Sequence, residues 1–171
     1  MRIAVIRIGE SFIGEGVNAA HTNVVIGPKD GPAGQAFANS LASPSVGHEP
    51  FMVVVQPGVP IKPLTLFVNK AVIDGELHGN ATWGAAQAGV AVGVHRAVVE
   101  GALPAEAPDD WVVVAAIWVN PSCDDLDEVY RNQRDAAHQA IVAAQRGLPS
   151  WGQVDLAAAA PRNPFYTPKE V

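Results

Sequence analysis

Cysteine is almost missing from this sequence, with Cys123 alone among 171 residues. A single thiol makes no intramolecular disulfide and no CxxC pair for zinc, so the expectation is a chain at home in a reducing cytoplasm. Positive charge is also scarce. Lys and Arg number 11 against 17 Asp and Glu, a net charge of -6 with a pI near 5.2. A phosphate backbone is repelled by such a surface, which argues against a nucleic-acid partner. No stretch reaches the roughly 20 apolar residues that a helix needs to cross a bilayer, and the opening MRIAVIRIGE alternates and soon meets charge, unlike a signal-peptide core. No membrane partner is expected.

Familiar signatures are missing too. GEGVNA and GPKDGPAG are glycine-rich, yet neither gives GxGxxG or GxxxxGK[ST], so a nucleotide site has no support. The five histidines have no HExxH spacing and the acidic DDLDE has no metal-loop pattern, which leaves a solvated helix start as its plain reading. Ser40, Ser43 and Ser45 stand near His48 without a GxSxG elbow.

What is present is apolar: 49% of residues are hydrophobic and only 16% charged, with a mean hydropathy of +0.14. The length suits one domain, 1–171, with a real core, and the surplus of apolar surface suits burial in an oligomer. Residues 2–14 alternate as a strand, Gly14, Gly16 and Asn18 supply a turn, and AHTNVVIG completes a hairpin. Residues 33–42 follow a helical spacing. FMVVVQPG and LTLFVNKAVI read as two strands across a proline-rich turn. Residues 83–100 read as a buried helix capped by Gly101, and WVVVAAIWVN as the central strand. DDLDEVYRNQRDAAHQAIVAAQRG begins with acids and ends on Arg146 and Gly147, as a helix does. The proline-bearing tail 148–171 reads as an irregular extended arm ordered only by lying on something, a neighbouring subunit being one candidate. The fold class is α/β of the α+β kind, a mixed sheet with helices in two layers.

Three polar residues sit where apolar ones are expected. His21 stands at the entrance of a strand, either bonding a loop or donating a proton near working pH. Lys70 stands in FVNKAVI, as a snorkelling edge lysine or a ligand contact. Gln87, in AAQAGVA, either ties helix to loop or faces a ligand.

Taken in order, GESFIGEGVNAAHTNVVIGP, PIKPLTLFVNKAVI and AAQAGVAVGVHRAVVEGALPAEAPDD resemble the formaldehyde-activating enzyme family, over about Gly9 to Pro149. The resemblance implies condensation of formaldehyde with tetrahydromethanopterin to methylene-tetrahydromethanopterin and water in the cytoplasm of methylotrophs and methanogens. The pterin is a co-substrate, and no tightly bound cofactor is expected. It also implies a ring-shaped homopentamer with sites between subunits, and a two-layer sandwich with a left-handed βαβ crossover like the second domain of a small-subunit ribosomal protein. Residue by residue, His21 falls on the family's general acid, and Lys70, Gln87 and Met52 fall on pterin-site positions. Two site positions depart. Asn23 stands where the family has Asp and Val72 where it has Thr, while Gln87-Ala88-Gly89 replaces Gln-His-Gly. The pattern implies a diverged paralogue, whose alternative role is that of a non-catalytic module that binds or senses a pterin or a formaldehyde adduct.

Overall fold

The computed structural model describes residues 5–169. Strand β1 (Arg7–Ile13) turns through Gly14 and Gly16, both at positive φ, into β2 (Ala20–Pro28), and α1 (Pro32–Ala42) follows with proline in its first turn. Short strands β3 (Pro50–Met52), β4 (Val54–Gln56) and β5 (Val59–Pro60) lead to β6 (Leu64–Asn69). Helix α2 (Gly75–Gly79), a π-helical stretch Asn80–Ala86 and α3 (Gln87–Val99) form one continuous helical run. After the single turn α4 (Ala107–Asp110) come β7 (Trp111–Trp118), α5 (Leu126–Arg146) and α6 (Trp151–Ala158).

The chain is a mixed α/β fold, α+β in kind, built on a five-stranded mixed sheet in the order β1-β2-β7-β6-β3. WVVVAAIW is central, as its unbroken apolar run implies: it pairs antiparallel with β2 and parallel with β6. Alternation assigns the two faces of β2. Thr22, Val24 and Ile26 are buried, whereas His21, Asn23 and Val25 are partly covered. Gly9, paired with Val24, locates the long helices on the buried face, because a Cβ there would overlap the Ala140 carbonyl of α5. Gly27, two residues beyond Val25, faces Ala33 of α1, so α1 lies on the opposite side. It covers that side only toward one end.

Helices α3 and α5 run side by side in the same direction: Gly89 faces the Tyr130–Gln133 turn and Gly93 the Arg134–His138 turn. With the sheet they enclose one core containing Val90, Val94, Ile117, Val113, Phe67 and Ile141. Their outer seam is charged. The Arg134 guanidinium holds the Asp135 carboxyl below its usual range, and Arg96, with His138, does the same for Glu100. A carboxyl lowered in the folded state contributes stability above its unfolded value, which is lost as pH falls through the folded one. Thermal midpoints followed downward from neutral pH should therefore fall in the acid range, and Asp135→Asn should flatten that slope.

Three expectations need correction. FMVVVQPG does not form one strand opposite LTLFVNKAVI. Only Pro50–Met52 pairs with β6; Val54–Gln56 turns away to meet Val59–Pro60 in a separate two-stranded ribbon. Strand β6 stops at Asn69 rather than running through AVI, because the Asn69 side chain folds back to Ala71 O at 2.9 Å and turns the chain. The tail is not wholly irregular. Ser150 and Gln153 form a reciprocal capping box that starts α6, whose residues are all exposed.

Candidate functional site

The half-open sheet face carries a transverse row of side chains. Strand registers place Phe12 beside His21, and His21 beside Trp118. Lys70 extends the row, since its N–H donates to Ile117 O at 2.9 Å and alternation from Val68 turns its side chain to the same face. Asn23 lies two residues along β2 on that face, opposite Glu10 and Ala116.

His21 is 36% exposed, and its Nε2 lies 3.1 Å from Glu10 Oε1, itself 58% exposed. An exposed ion pair contributes little to stability. Its consequence is local: a carboxylate stands beside the imidazole even though position 23 is an amide. The Phe12 ring lies 5.4 Å from the imidazole at 35°. Strand β1 thus borders the imidazole with a charge and an apolar plane.

Buried amides hold this row in place. Gln133 of α5 receives the Thr22 hydroxyl at 3.0 Å and donates to Trp118 O at 2.9 Å, fixing both strands directly beneath His21. Asn18, in the turn before β2, donates to Asp124 and Glu128 at 2.8 and 2.9 Å and accepts from two backbone N–H groups at the start of α5. At the other end of the row, Asn69 accepts from Glu49 N at 2.8 Å, and His78 accepts from Asp74 N at 3.0 Å while its Nε2 meets Val119 O at 3.1 Å. The loop bearing Lys70 and Val72 is tied at both ends. Val72 is 59% exposed and lies against the bend at Gly47.

The remaining site candidates lie elsewhere. Gln87 opens α3 at the end of the π-helical stretch, buried, with its Oε1 accepting from Val54 N at 2.6 Å. It ties helix to strand, and it also lines a groove of about 500 Å³ with Phe51, Met52, Val54 and Trp83. Met52 is level with Leu66, Val114 and Val25 in the sheet, four residues along β2 from His21 and three strands away. At about 4.8 Å per strand and 3.4 Å per residue, that is about 20 Å between backbones. One protomer therefore brings His21, Asn23 and Lys70 into one row, while Met52, on the same sheet face by register, lines with Gln87 a groove apart from His21.

Among the described residues, Cys123, Ser45 and His48 join neither cluster. Burial, followed by the neighbouring Asp124, pushes the Cys123 thiol up, which disfavours its nucleophilic form. Ser45 and His48 exchange backbone hydrogen bonds at 3.3 and 2.8 Å in a tight turn. Among the described residues no three His, Cys, Asp or Glu side chains are grouped to hold a metal, and no helix is long and apolar enough to cross a membrane.

Glu10, Phe12 and Trp118 do not stand out in the sequence as candidates, although alternation puts Glu10 and Phe12 on His21's face once the hairpin is drawn; Trp118 joins them only through the long-range β2–β7 register. Gln133, Asn18, Asn69 and His78 leave no comparable signal, because their partners are distant in sequence.

The sheet and its row define a small α+β protein with an imidazole, a carboxylate and an ammonium group on a half-open face. The chain belongs to the formaldehyde-activating enzyme family, whose model matches residues 8–166. It is 39% identical over 143 residues to a 5,6,7,8-tetrahydromethanopterin hydro-lyase of Methanosarcina barkeri, covering 84% of this chain and 80% of that one. It is 38% identical over 148 residues to the bifunctional enzyme Fae/Hps of Methanosarcina acetivorans, covering 86% of this chain and 38% of the relative. The corresponding Archaeoglobus fulgidus protein is 41% identical over 143 residues, covering 84% and 36%. The chain thus spans well under half the length of its bifunctional relatives.

Proposed function

We propose that this protein condenses formaldehyde with tetrahydromethanopterin to give methylene-tetrahydromethanopterin and water, acting as a hydro-lyase. Family membership and the hydro-lyase relative support the reaction. The observation that carries it to this chain is His21, accessible on a firmly held face beside Glu10.

The chemistry gives an imidazolium a task. A pterin amine adds to formaldehyde unaided, forming the C–N bond of a carbinolamine. Its hydroxyl leaves poorly as hydroxide. His21 donates a proton to that oxygen, the C–O bond breaks and water departs, leaving an iminium ion. A second pterin nitrogen attacks the iminium carbon, and the proton it releases restores the imidazolium. Lys70 and Asn23 lie beside this centre to engage the pterin, with Val72 in the adjoining loop. Met52 and Gln87 form the groove for another part of it. In this reading the groove comes from a neighbouring subunit, since about 20 Å separates it from His21 in one protomer by sheet spacing. Exposed Trp83 at its rim and the apolar composition support an assembly, which this reading takes as a homopentameric ring with sites between subunits.

The same reading takes residues 1–171 as one domain with 148–171 as its arm, in the cytoplasm of an organism using one-carbon compounds, with no tightly bound cofactor. It takes the β6–α3–β7 connection as the family's left-handed crossover and the fold as that of the ribosomal-protein second domain. The parallel pairing of β6 with β7 across a helix supports a βαβ crossover. The deciding experiment combines purified protein, formaldehyde and tetrahydromethanopterin. A rate above the spontaneous background supports a lyase, and none refutes it.

Asn23 and Val72 favour a second reading, a pterin-binding module without useful turnover, because Val72 replaces a hydroxyl able to accept a hydrogen bond from the reduced pterin and Asn23 replaces a charged carboxylate with a neutral amide that keeps one acceptor oxygen. Such a bond is worth about 0.5 to 1.5 kcal/mol, or about 1.5 to 3 when one group is charged. Asn23→Asp combined with Val72→Thr should tighten pterin binding measured by calorimetry. Part of the gain is offset because the new carboxylate would face Glu10 directly across the strands. Tighter binding without a rate marks the module; gains in both mark an enzyme with a weakened pocket.

A further inference from the structure

We propose that residues 162–167 form a lid on the His21 site, with Phe165 as the residue that closes it over the bound one-carbon carrier. Phe165 meets Trp118 edge-on at 5.5 Å and 86°, and Phe12 at 6.4 Å and 82°. Those two rings flank His21 in the transverse row. One aromatic side chain from the C-terminal arm therefore bridges both neighbours of the imidazole.

The turn that presents Phe165 is self-contained. Asn163 and Tyr166 exchange backbone hydrogen bonds at 2.9 and 3.2 Å, and Asn163 Oδ1 accepts from Phe165 N at 2.9 Å, so the ring stands at a formed tip. A hollow of about 560 Å³ lies between this turn and the β1–β2 turn, with Arg162 on one side and Glu15 on the other. The tip is only lightly held, for Phe165 remains 66% exposed and α6 before it buries no residue. Edge-on ring contacts of this kind are individually weak. A formed tip on an exposed tether suits a part that lifts for entry and settles on a flat ring placed beside His21. Settled, it sheds water from the carbinolamine, so the proton from His21 goes to the leaving oxygen. Phe165 acts by positioning and does not transfer a proton.

The carrier in this proposal rests on the condensation reading, so the test includes a readout independent of turnover. Trypsin cleavage after Arg162 should slow several-fold when tetrahydromethanopterin is added to the intact protein. In the condensation assay, Phe165→Ala and a chain ending at Pro161 should each raise the carrier KM about tenfold, the equivalent of one weak contact set, with a smaller fall in kcat. Phe165→Tyr should restore the parent values. Protection of Arg162 without turnover keeps the lid and removes the lyase. Turnover with unchanged KM in both variants and equal cleavage with and without carrier overturns the lid alone. Neither protection nor turnover overturns both.

Discussion

Replacing His21 with alanine is expected to leave the fold intact and abolish most of the acceleration over spontaneous condensation. A positioned general acid is worth roughly 10²- to 10⁴-fold, or about 3 to 5.5 kcal/mol of barrier. Stability should change little. The ring is 36% exposed and, among the described residues, its charged contact is an exposed carboxylate, and substitutions at such sites usually fall within about 0.5 kcal/mol. Thermal unfolding of the variant checks the fold, and stopped-flow condensation at fixed formaldehyde checks the chemistry. Affinity for the carrier should survive, since Lys70 and the Met52–Gln87 groove are untouched. Glu10→Gln should fall between the two proteins, because it removes the charge beside the imidazole and keeps the ring. An unaltered rate in the alanine variant would assign His21 to architecture alone.

Much of this arrangement is readable before any coordinates, and the reasons differ by element. Helix α5 announces itself through a local code. Asp125 caps its first turn by accepting from Glu128 N at 2.9 Å, and Gly147 takes φ 64° after its last turn. WVVVAAIW is central because it pairs on both edges, and from Val112 to Ala115 it is buried on both faces, which an uninterrupted apolar run states directly. The capping box at Ser150 and Gln153 is equally local, but the prolines flanking α6 and its lack of a buried stripe mask it. The break after Met52 has another origin. Val54 N gives its hydrogen bond to Gln87, which is 33 residues away, instead of to a strand partner. No window of neighbouring residues contains that competition. The π-helical stretch that aims Gln87 and Trp83 at the groove is hidden for a similar reason, since NATWGAA is composed like any small-residue helix.

Candidate site residues divide along the same line. His21, Lys70 and Gln87 stand out because each is polar in an apolar context. Glu10 does not, being one more exposed acid on an alternating edge strand. Its approach to the imidazole depends on β1–β2 register, which pairs Phe12 with His21 and so leaves Glu10 on the same face one step away. Asn23 illustrates the opposite limit. Its chemistry is plain from the sequence, yet the carboxylate whose absence it implies beside His21 is supplied from the next strand. Under the proposed function, a departure from the family pattern weighs less when a neighbouring side chain brings a carboxylate to the same imidazole.

Separation of the two residue groups leads to the prediction with the largest contrast. If each site takes His21 from one subunit and Gln87 from its neighbour, two inactive proteins should make active ones when their subunits mix. His21→Ala removes the acid. Gln87→Glu keeps an oxygen to accept from Val54 N, so the helix-to-strand tie persists, while the amide N–H donor is lost from a residue that lines the groove. Each variant alone should show only a small fraction of the parent rate. Coexpressed in equal amounts with different tags and purified through both, the mixed rings should recover activity. With random placement around a closed ring, about a quarter of the sites carry both intact halves, so the mixture should reach about a quarter of the parent rate. A site complete within one protomer predicts instead the mean of the two variants, close to zero. Mixing the purified proteins after assembly should give no gain until subunits exchange, which ties the recovery to the interface. Recovery would place the chemistry between subunits, whereas a mixture no better than its parents would require the groove at Met52 and the row at His21 to serve different ligands.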